Sequence, residues 1–217
     1  MPSQPDRLVV GFDLDMTLID SRPGIAATLR ALSDETGVPI DWDLVVNRLG
    51  PKLEDEMAEW FPADRILEVS DRYRDLYADL GVPGTLLLPG AAEAVAAVRD
   101  VGGHTLVVTA KYEPNAHRCL AHVGLEVDVV IGWRHGPGKA DALLEHGAAI
   151  YVGDTPPNMH GARAAGALAV AVTTGPHDDA TLRDAGAEVV LASLSQFPAW
   201  FAAWRRAAPR DAAGDGA

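Results

Sequence analysis

The chain has 217 residues, of which 18 are Lys or Arg and 31 are Asp or Glu, giving a formal charge of −13, with 48% hydrophobic residues and one cysteine. That length fits one domain, or one domain carrying a large insertion, with enough apolar mass to bury a core. The negative balance excludes a duplex-binding surface, because nucleic-acid affinity rests mainly on Lys and Arg neutralising phosphates. Cys119 has no second cysteine to pair with, which excludes an intramolecular disulfide or a thiolate metal cluster. The opening MPSQPDR lacks the apolar stretch of a signal peptide, and no run approaches the roughly 18 apolar residues of a membrane span. The expectation is a soluble cytoplasmic protein that engages neither membrane nor nucleic acid.

Leu8-Val9-Val10-Gly11-Phe12 is a short apolar run that ends at Asp13, the pattern of a strand buried on both faces. Between Asp20 and Leu88 the pattern becomes helical. RPGIAATLRALSDETG, DWDLVVNRLG, LEDEMAEWF and PADRILEVSDRYRDLYADLG all read as amphipathic helices, with no strand-like run among them. Ser21-Arg22-Pro23-Gly24 opens this segment and Gly81, Pro83 and Gly84 close it, as hinges or as plain turns. Trp42, Trp60, Tyr73 and Tyr77 fall at helical positions and read as the apolar core of the insertion.

From Ala91 onward, helical patterns alternate with the apolar runs HTLVVT, VDVVIG, AIYVG, LAVAVT and EVVLA. Short strands without polar alternation, separated by helices, predict a parallel sheet covered on both faces. Gly124, Gly147, Gly166 and Gly186 each follow a helical pattern and suit the left-handed position that ends a helix. The fold class expected is α/β, a three-layer Rossmann-like parallel-sheet core with an all-helical cap inserted after the first strand. Residues 1–18 and 89–207 form the core, 19–88 the cap and 208–217 a disordered tail.

The chemistry-bearing residues lie at strand ends. Asp13-Leu14-Asp15 places two acids just past the first strand, where open α/β sheets bind ligands. Thr109 ends HTLVVT, Lys139 starts the helix after VDVVIG, and Asp154 ends AIYVG. A nucleophilic carboxylate, a second carboxyl for proton transfer, a hydroxyl, a fixed cation and a carboxylate for a hard metal are the parts that transfer through an aspartyl-phosphate needs. Histidines are scattered, and His117 and His122 lack the i, i+4 spacing of a helical metal pair.

GFDLDMTLIDS, VVTAK, Lys139 in GKADALL, and YVGDTPPN followed by GARAAG resemble, in order, the four motifs of the haloacid dehalogenase superfamily, phosphoglycolate-phosphatase-like branch. The resemblance runs from about Arg7 to Trp200. It implies that Asp13 is the nucleophile and that Asp15 protonates the leaving alkoxide and then takes a proton from water. Thr109 would bind a phosphoryl oxygen, and Lys139 would neutralise charge on the phosphoryl group and on Asp13. It also implies Mg²⁺ on the Asp13 carboxylate, the Asp15 carbonyl and Asp154, with Asn158 accepting from a metal-bound water. Met16 stands where the family usually has glycine, and Asn158 where it usually has a second aspartate, so a weaker metal site is expected.

Asn47-Arg48-Leu49-Gly50-Pro51-Lys52 resembles the specificity loop of such caps. Arg48 and Lys52 are therefore candidate substrate contacts, or else solvated bases. Lys111 resembles a pocket-facing lysine just past the second motif, with Ala110 beside it. The reaction implied is hydrolysis of a small phosphate monoester, phosphoglycolate-like or a sugar phosphate, by a monomer or homodimer. A phosphosugar mutase of the same superfamily and a receiver-like phospho-acceptor module are the alternatives.

Overall fold

The computed structural model describes residues 7–207, so the tail expected at 208–217 lies outside the described residues. Six parallel strands form the sheet: β1 (Val9–Phe12), β4 (His104–Val108), β5 (Val129–Ile131), β6 (Ala148–Gly153), β7 (Leu168–Val172) and β8 (Val189–Leu191), in the spatial order β5-β4-β1-β6-β7-β8. β1 therefore sits inside the sheet, and the chain builds outward from it on one side before returning to the other. Ligands bind at the carboxyl ends of strands beside such a reversal.

Strand alternation sorts the apolar residues into two cores. Val10 and Phe12 of β1, Ile150 and Val152 of β6, and Val170 and Val172 of β7 face one layer. Tyr151, Ala169 and Ala171 face the other with Leu106 and Val108. The helices that cover the faces are α5 (Ala91–Arg99), α6 (Glu113–His122), α7 (Pro137–Glu145), α8 (Pro156–Ala164), α9 (Asp179–Asp184) and α10 (Phe197–Ala207). Gly124, Gly147, Gly166 and Gly186 all take positive φ at helix ends, as the sequence predicts. No helix among the described residues is long and apolar enough to cross a membrane.

The segment after β1 is helical: α1 (Arg22–Thr36), α2 (Trp42–Asn47), α3 (Leu53–Met57) and α4 (Ile66–Leu76), with α4 running into a wider turn over Tyr77–Gly81. One element differs from the sequence reading. Leu86–Leu87 forms β3, which pairs antiparallel with β2 (Ile19–Asp20), so a two-stranded ribbon ties the two ends of the insertion together. Two-residue strands are too short to leave a period in the sequence.

The glycines at the ends of the insertion are contact residues. A Cβ on Gly24 would lie 2.0 Å from the Gly81 carbonyl oxygen, and one on Gly84 would lie 2.7 Å from Gly24 Cα. Backbones cross there with no room for a side chain. Ile25, Leu29, Leu32, Met57, Val69 and Tyr77 then pack into the same apolar cluster as Val10 and Phe12, so the insertion shares one core with a sheet face.

Candidate active site

Between the helical segment and the strand ends lies a cavity of about 420 Å³, lined by Asp13, Asp15, Thr109, Lys111, Lys139 and Asp154 among others. Asp13 follows β1 directly, and its N–H donates to the Val152 carbonyl (2.8 Å), which fixes the carboxylate at the strand end. Oδ1 accepts from the Leu14 N–H (2.7 Å). Oδ2 accepts from Lys139 Nζ (2.6 Å) and from Asn158 Nδ2 (2.7 Å). Charge-assisted bonds of this length are the strong kind. They leave Asp13 oriented and neutralised, with its side chain 11% exposed to the cavity.

Asp15 is the more open acid, with its side chain 27% exposed. Its Oδ1 accepts from Lys111 Nζ at 2.8 Å. Lys111 lines the cavity as expected, but its charge is committed to Asp15 rather than left free for substrate. Burial disfavours that ammonium, yet the Asp15 carboxylate and Tyr77 beside it hold its pKa above the ordinary lysine value. Thr109 is buried at the end of β4, and its Oγ1 accepts from the Lys111 N–H (3.2 Å), while Ala110 completes that stretch of wall.

Asp154, at the end of β6, is 2% exposed. Its Oδ1 accepts from Thr17 Oγ1 (3.1 Å), and it makes no ion pair among the described residues. Burial, and then the charge of Asp13, push its pKa up to about 8. Gly175 closes over it: a Cβ there would lie 2.0 Å from Asp154 Oδ2. Asp13 and Asp15 each have a lysine and Asp154 has none, so the charge balance and the oxygen donors fit one hard cation. Among the described residues, no three acidic, His or Cys side chains cluster as a metal group. Two carboxylates and a backbone carbonyl suit an ion that keeps several of its waters.

Two expectations need correction. Asn158 does not offer its amide oxygen to the site, because Oδ1 accepts from the Thr155 N–H (3.0 Å) and Oγ1 (2.6 Å) in the cap of α8. Its nitrogen points at Asp13 instead. Arg48 lies outside the cavity wall, paired with Glu56 (2.6 Å) and Glu59 (2.8 Å), and Glu56 also accepts from Trp60 Nε1 (3.0 Å). Lys52 does line the cavity, and it makes no ion pair within 4 Å among the described residues.

Sequence reasoning passed over several residues. Tyr151 Oη, buried below the site, accepts from Lys139 Nζ and Asn158 Nδ2 (both 3.3 Å) and donates to the Val108 carbonyl (2.7 Å). Its signal was visible: a tyrosine in the aliphatic strand AIYVG needs a partner for its hydroxyl. Tyr73 and Tyr77, read as insertion core, line the cavity too, and Lys111 Nζ sits 4.4 Å from the Tyr77 ring centroid. Arg74 and Trp133 also line it. Met16 takes a φ of 59°, a left-handed backbone at a non-glycine residue just past the two acids.

Residues 10–172 match the haloacid dehalogenase-like hydrolase family. The chain belongs to that family. It is 30% identical over 188 residues to tyrosine-protein kinase PtkA of Mycobacterium tuberculosis, a match covering 80% of this chain and 64% of that protein, a little under two thirds of its length. It is 26% identical over 213 residues to a phosphoglycolate phosphatase of Chromobacterium violaceum, covering 86% of this chain and 93% of that one. A haloacid dehalogenase-like hydrolase, SP0104 of Streptococcus pneumoniae, superposes with a TM-score of 0.78 at 26% identity, covering 90% of this chain and 98% of its own. This haloacid dehalogenase-like hydrolase thus has phosphatases among its named relatives, and the receiver-like alternative falls away.

Proposed function

We propose that the protein is a Mg²⁺-dependent phosphatase that hydrolyses small phosphate monoesters through a phosphorylated Asp13. The observation that carries this reading is the Asp13 carboxylate, held by Lys139 and Asn158 at the floor of the cavity with Asp15 on the same turn. Asp13 attacks phosphorus, and the bond from phosphorus to the ester oxygen breaks as that oxygen takes the Asp15 proton. Water then gives its proton to Asp15 and attacks the phosphoryl group, which releases phosphate and restores Asp13. Lys139, buried and fixed by Tyr151, stabilises charge on the transferring group without reorganising.

Thr109 sits at the adjacent strand end to donate to a phosphoryl oxygen. Asp13, the Asp15 carbonyl and Asp154 would hold Mg²⁺, which would screen the repulsion between an incoming dianion and these carboxylates. Residues 1–18 and 89–207 act as the catalytic core, and 19–88 as the cap that selects the substrate. Phosphoglycolate, the ester in the name of one relative, and sugar phosphates are candidate members of that class.

Phosphate release from a panel of phosphomonoesters, with Mg²⁺ or with chelator, tests the reading. Metal-dependent turnover in the wild type that is lost by roughly 10⁴-fold in Asp13→Asn supports it. Equal turnover by wild type and Asp13→Asn contradicts it. A mutase would instead isomerise a sugar phosphate with little release of free phosphate.

A further inference from the structure

The cavity is larger and more aromatic than a two-carbon acid needs. Its 420 Å³ falls in the range of about 300–1,000 Å³ that encloses drug-sized ligands. Tyr73 and Tyr77 from the helical segment, Tyr112 ahead of α6 and Trp133 after β5 all contribute to its wall. Trp133 is the unusual one. Its φ of 54° is a left-handed backbone that bulky residues avoid, and the residue is nevertheless 55% exposed.

Met16 and Trp133 are the two non-glycine residues with positive φ among the described residues, and both line this cavity. Strain of this kind gathers where a ligand uses the geometry. The strained turn is also anchored to the reacting end. The Trp133 N–H donates to the Lys111 carbonyl and the Arg134 N–H to the Thr109 carbonyl, both at 2.9 Å.

Trp133 packs against Tyr112 at 5.1 Å between centroids with 47° between the planes, and more than half of its surface stays exposed. The Arg74 guanidinium lies 5.1 Å from the Trp133 centroid. Its side chain is 10% exposed and its Nε, although buried, has no partner, even with the guanidinium paired to Glu54 and Asp71. Charge argues against an acidic leaving group. Glu54, Asp55 and Glu56 stand in the wall, and Lys52 is the one cavity cation without an ion pair among the described residues.

We propose that the substrate is a phosphate monoester of an alcohol that carries an aromatic ring, with that ring stacked on the exposed part of Trp133 beside Tyr112. This rests on the phosphatase reading of the same cavity and deepens it. Stacking on an aromatic face is selective for a flat π-system over a saturated ring of the same size.

The test compares 2-phenylethyl phosphate with 2-cyclohexylethyl phosphate, whose leaving alkoxides are alike, and with 2-phosphoglycolate. The wild type is expected to turn over the phenyl ester with a kcat/KM roughly three- to ten-fold above the cyclohexyl ester. Trp133→Phe keeps that ratio and Trp133→Leu brings it to about one. Turnover of phosphoglycolate or of both ring esters with no preference for phenyl overturns the aromatic substrate and leaves the phosphatase standing. No turnover of any ester with Mg²⁺ overturns the phosphatase reading. Calorimetry on the wild type with 3-phenylpropylphosphonate and its cyclohexyl analogue then decides the ring question: tighter binding of the phenyl compound supports it, and equal binding overturns it.

Discussion

At the floor of the cavity the Asp13 carboxylate receives three donors, from Leu14, Lys139 and Asn158, and Lys139 and Asn158 share the Tyr151 hydroxyl beneath them. At the rim, Trp133 is more than half exposed on a strained backbone, and Arg74 keeps an unpartnered Nε. The floor is rigid because every strand end that feeds it belongs to the buried sheet. The walls come from the helical segment and the turn after β5, where side chains have fewer fixed partners. On the phosphatase reading proposed above, chemistry that must hold sub-ångström geometry would sit on the sheet, and recognition on the parts that can vary without disturbing it.

Breaking the floor is expected to have the largest effect. Lys139→Met keeps the length of the chain but removes the cation, which leaves Asp13 and Asp154 facing each other without it. A fall in kcat of about 10²–10³-fold with a modest change in KM is expected from steady-state kinetics, as for other preorganised charges. A fall confined to KM would place Lys139 in binding rather than in stabilising the transferring group.

The buried carboxyl of Asp154, which has no ion-pair partner among the described residues, gives the floor a pH signature. Its carboxyl ionises near 3.8 when unfolded and near 8 in the fold, because burial and Asp13 oppose the charge. The folded state therefore holds a proton that the unfolded chain has lost, so this contribution to stability is present below about pH 4 and lost as pH rises through 8. In chelator, Tm is expected to drop by roughly 5–10 °C between pH 5 and pH 9, and Mg²⁺ is expected to restore most of it at the upper end. A Tm that ignores both pH and Mg²⁺ would show that Asp154 does not meet a cation.

A smaller effect is expected one layer deeper. Tyr151→Phe removes the oxygen that Lys139 and Asn158 share, so kcat should fall about ten-fold while KM stays within two-fold, because the hydroxyl never meets substrate. A change in KM alone would reassign it. The smallest effect belongs to the outer wall. Arg48→Gln loses ion pairs to Glu56 and Glu59 on a residue 31% exposed, so melting should shift by only a few degrees and kcat/KM by less than about three-fold. A large loss of kcat/KM would return Arg48 to the substrate.

The parallel sheet and its helices were legible because buried strands and helix-ending glycines leave local patterns, as in LVVGF and at Gly124 and Gly147. The floor was legible for a related reason: Asp13, Thr109 and Asp154 each mark the end of a predicted strand, and Lys139 the start of a predicted helix. What was hidden depends on partners far apart in sequence. Asn158 faces Asp13 across 145 positions and gives its oxygen to Thr155, so its type suggested a ligand while its surroundings made it a donor. Arg48 and Lys52 looked alike in one loop, and only the placement of Glu56 and Glu59 separates them. Arg74 sits on α4 with no periodic signal, and the strain at Trp133 has no composition to announce it.

The most direct test of the central claim is mass spectrometry of the acid-quenched Asp15→Asn variant after incubation with a turned-over ester and Mg²⁺. With an ester whose leaving group needs no proton, such as 4-nitrophenyl phosphate, attack by Asp13 proceeds without Asp15 while release to water stalls, so the peptide that spans Val9–Thr17 should carry one phosphoryl group on Asp13. A variant that consumes ester with no phosphoryl group on that peptide, or with the group on another residue, would contradict the account.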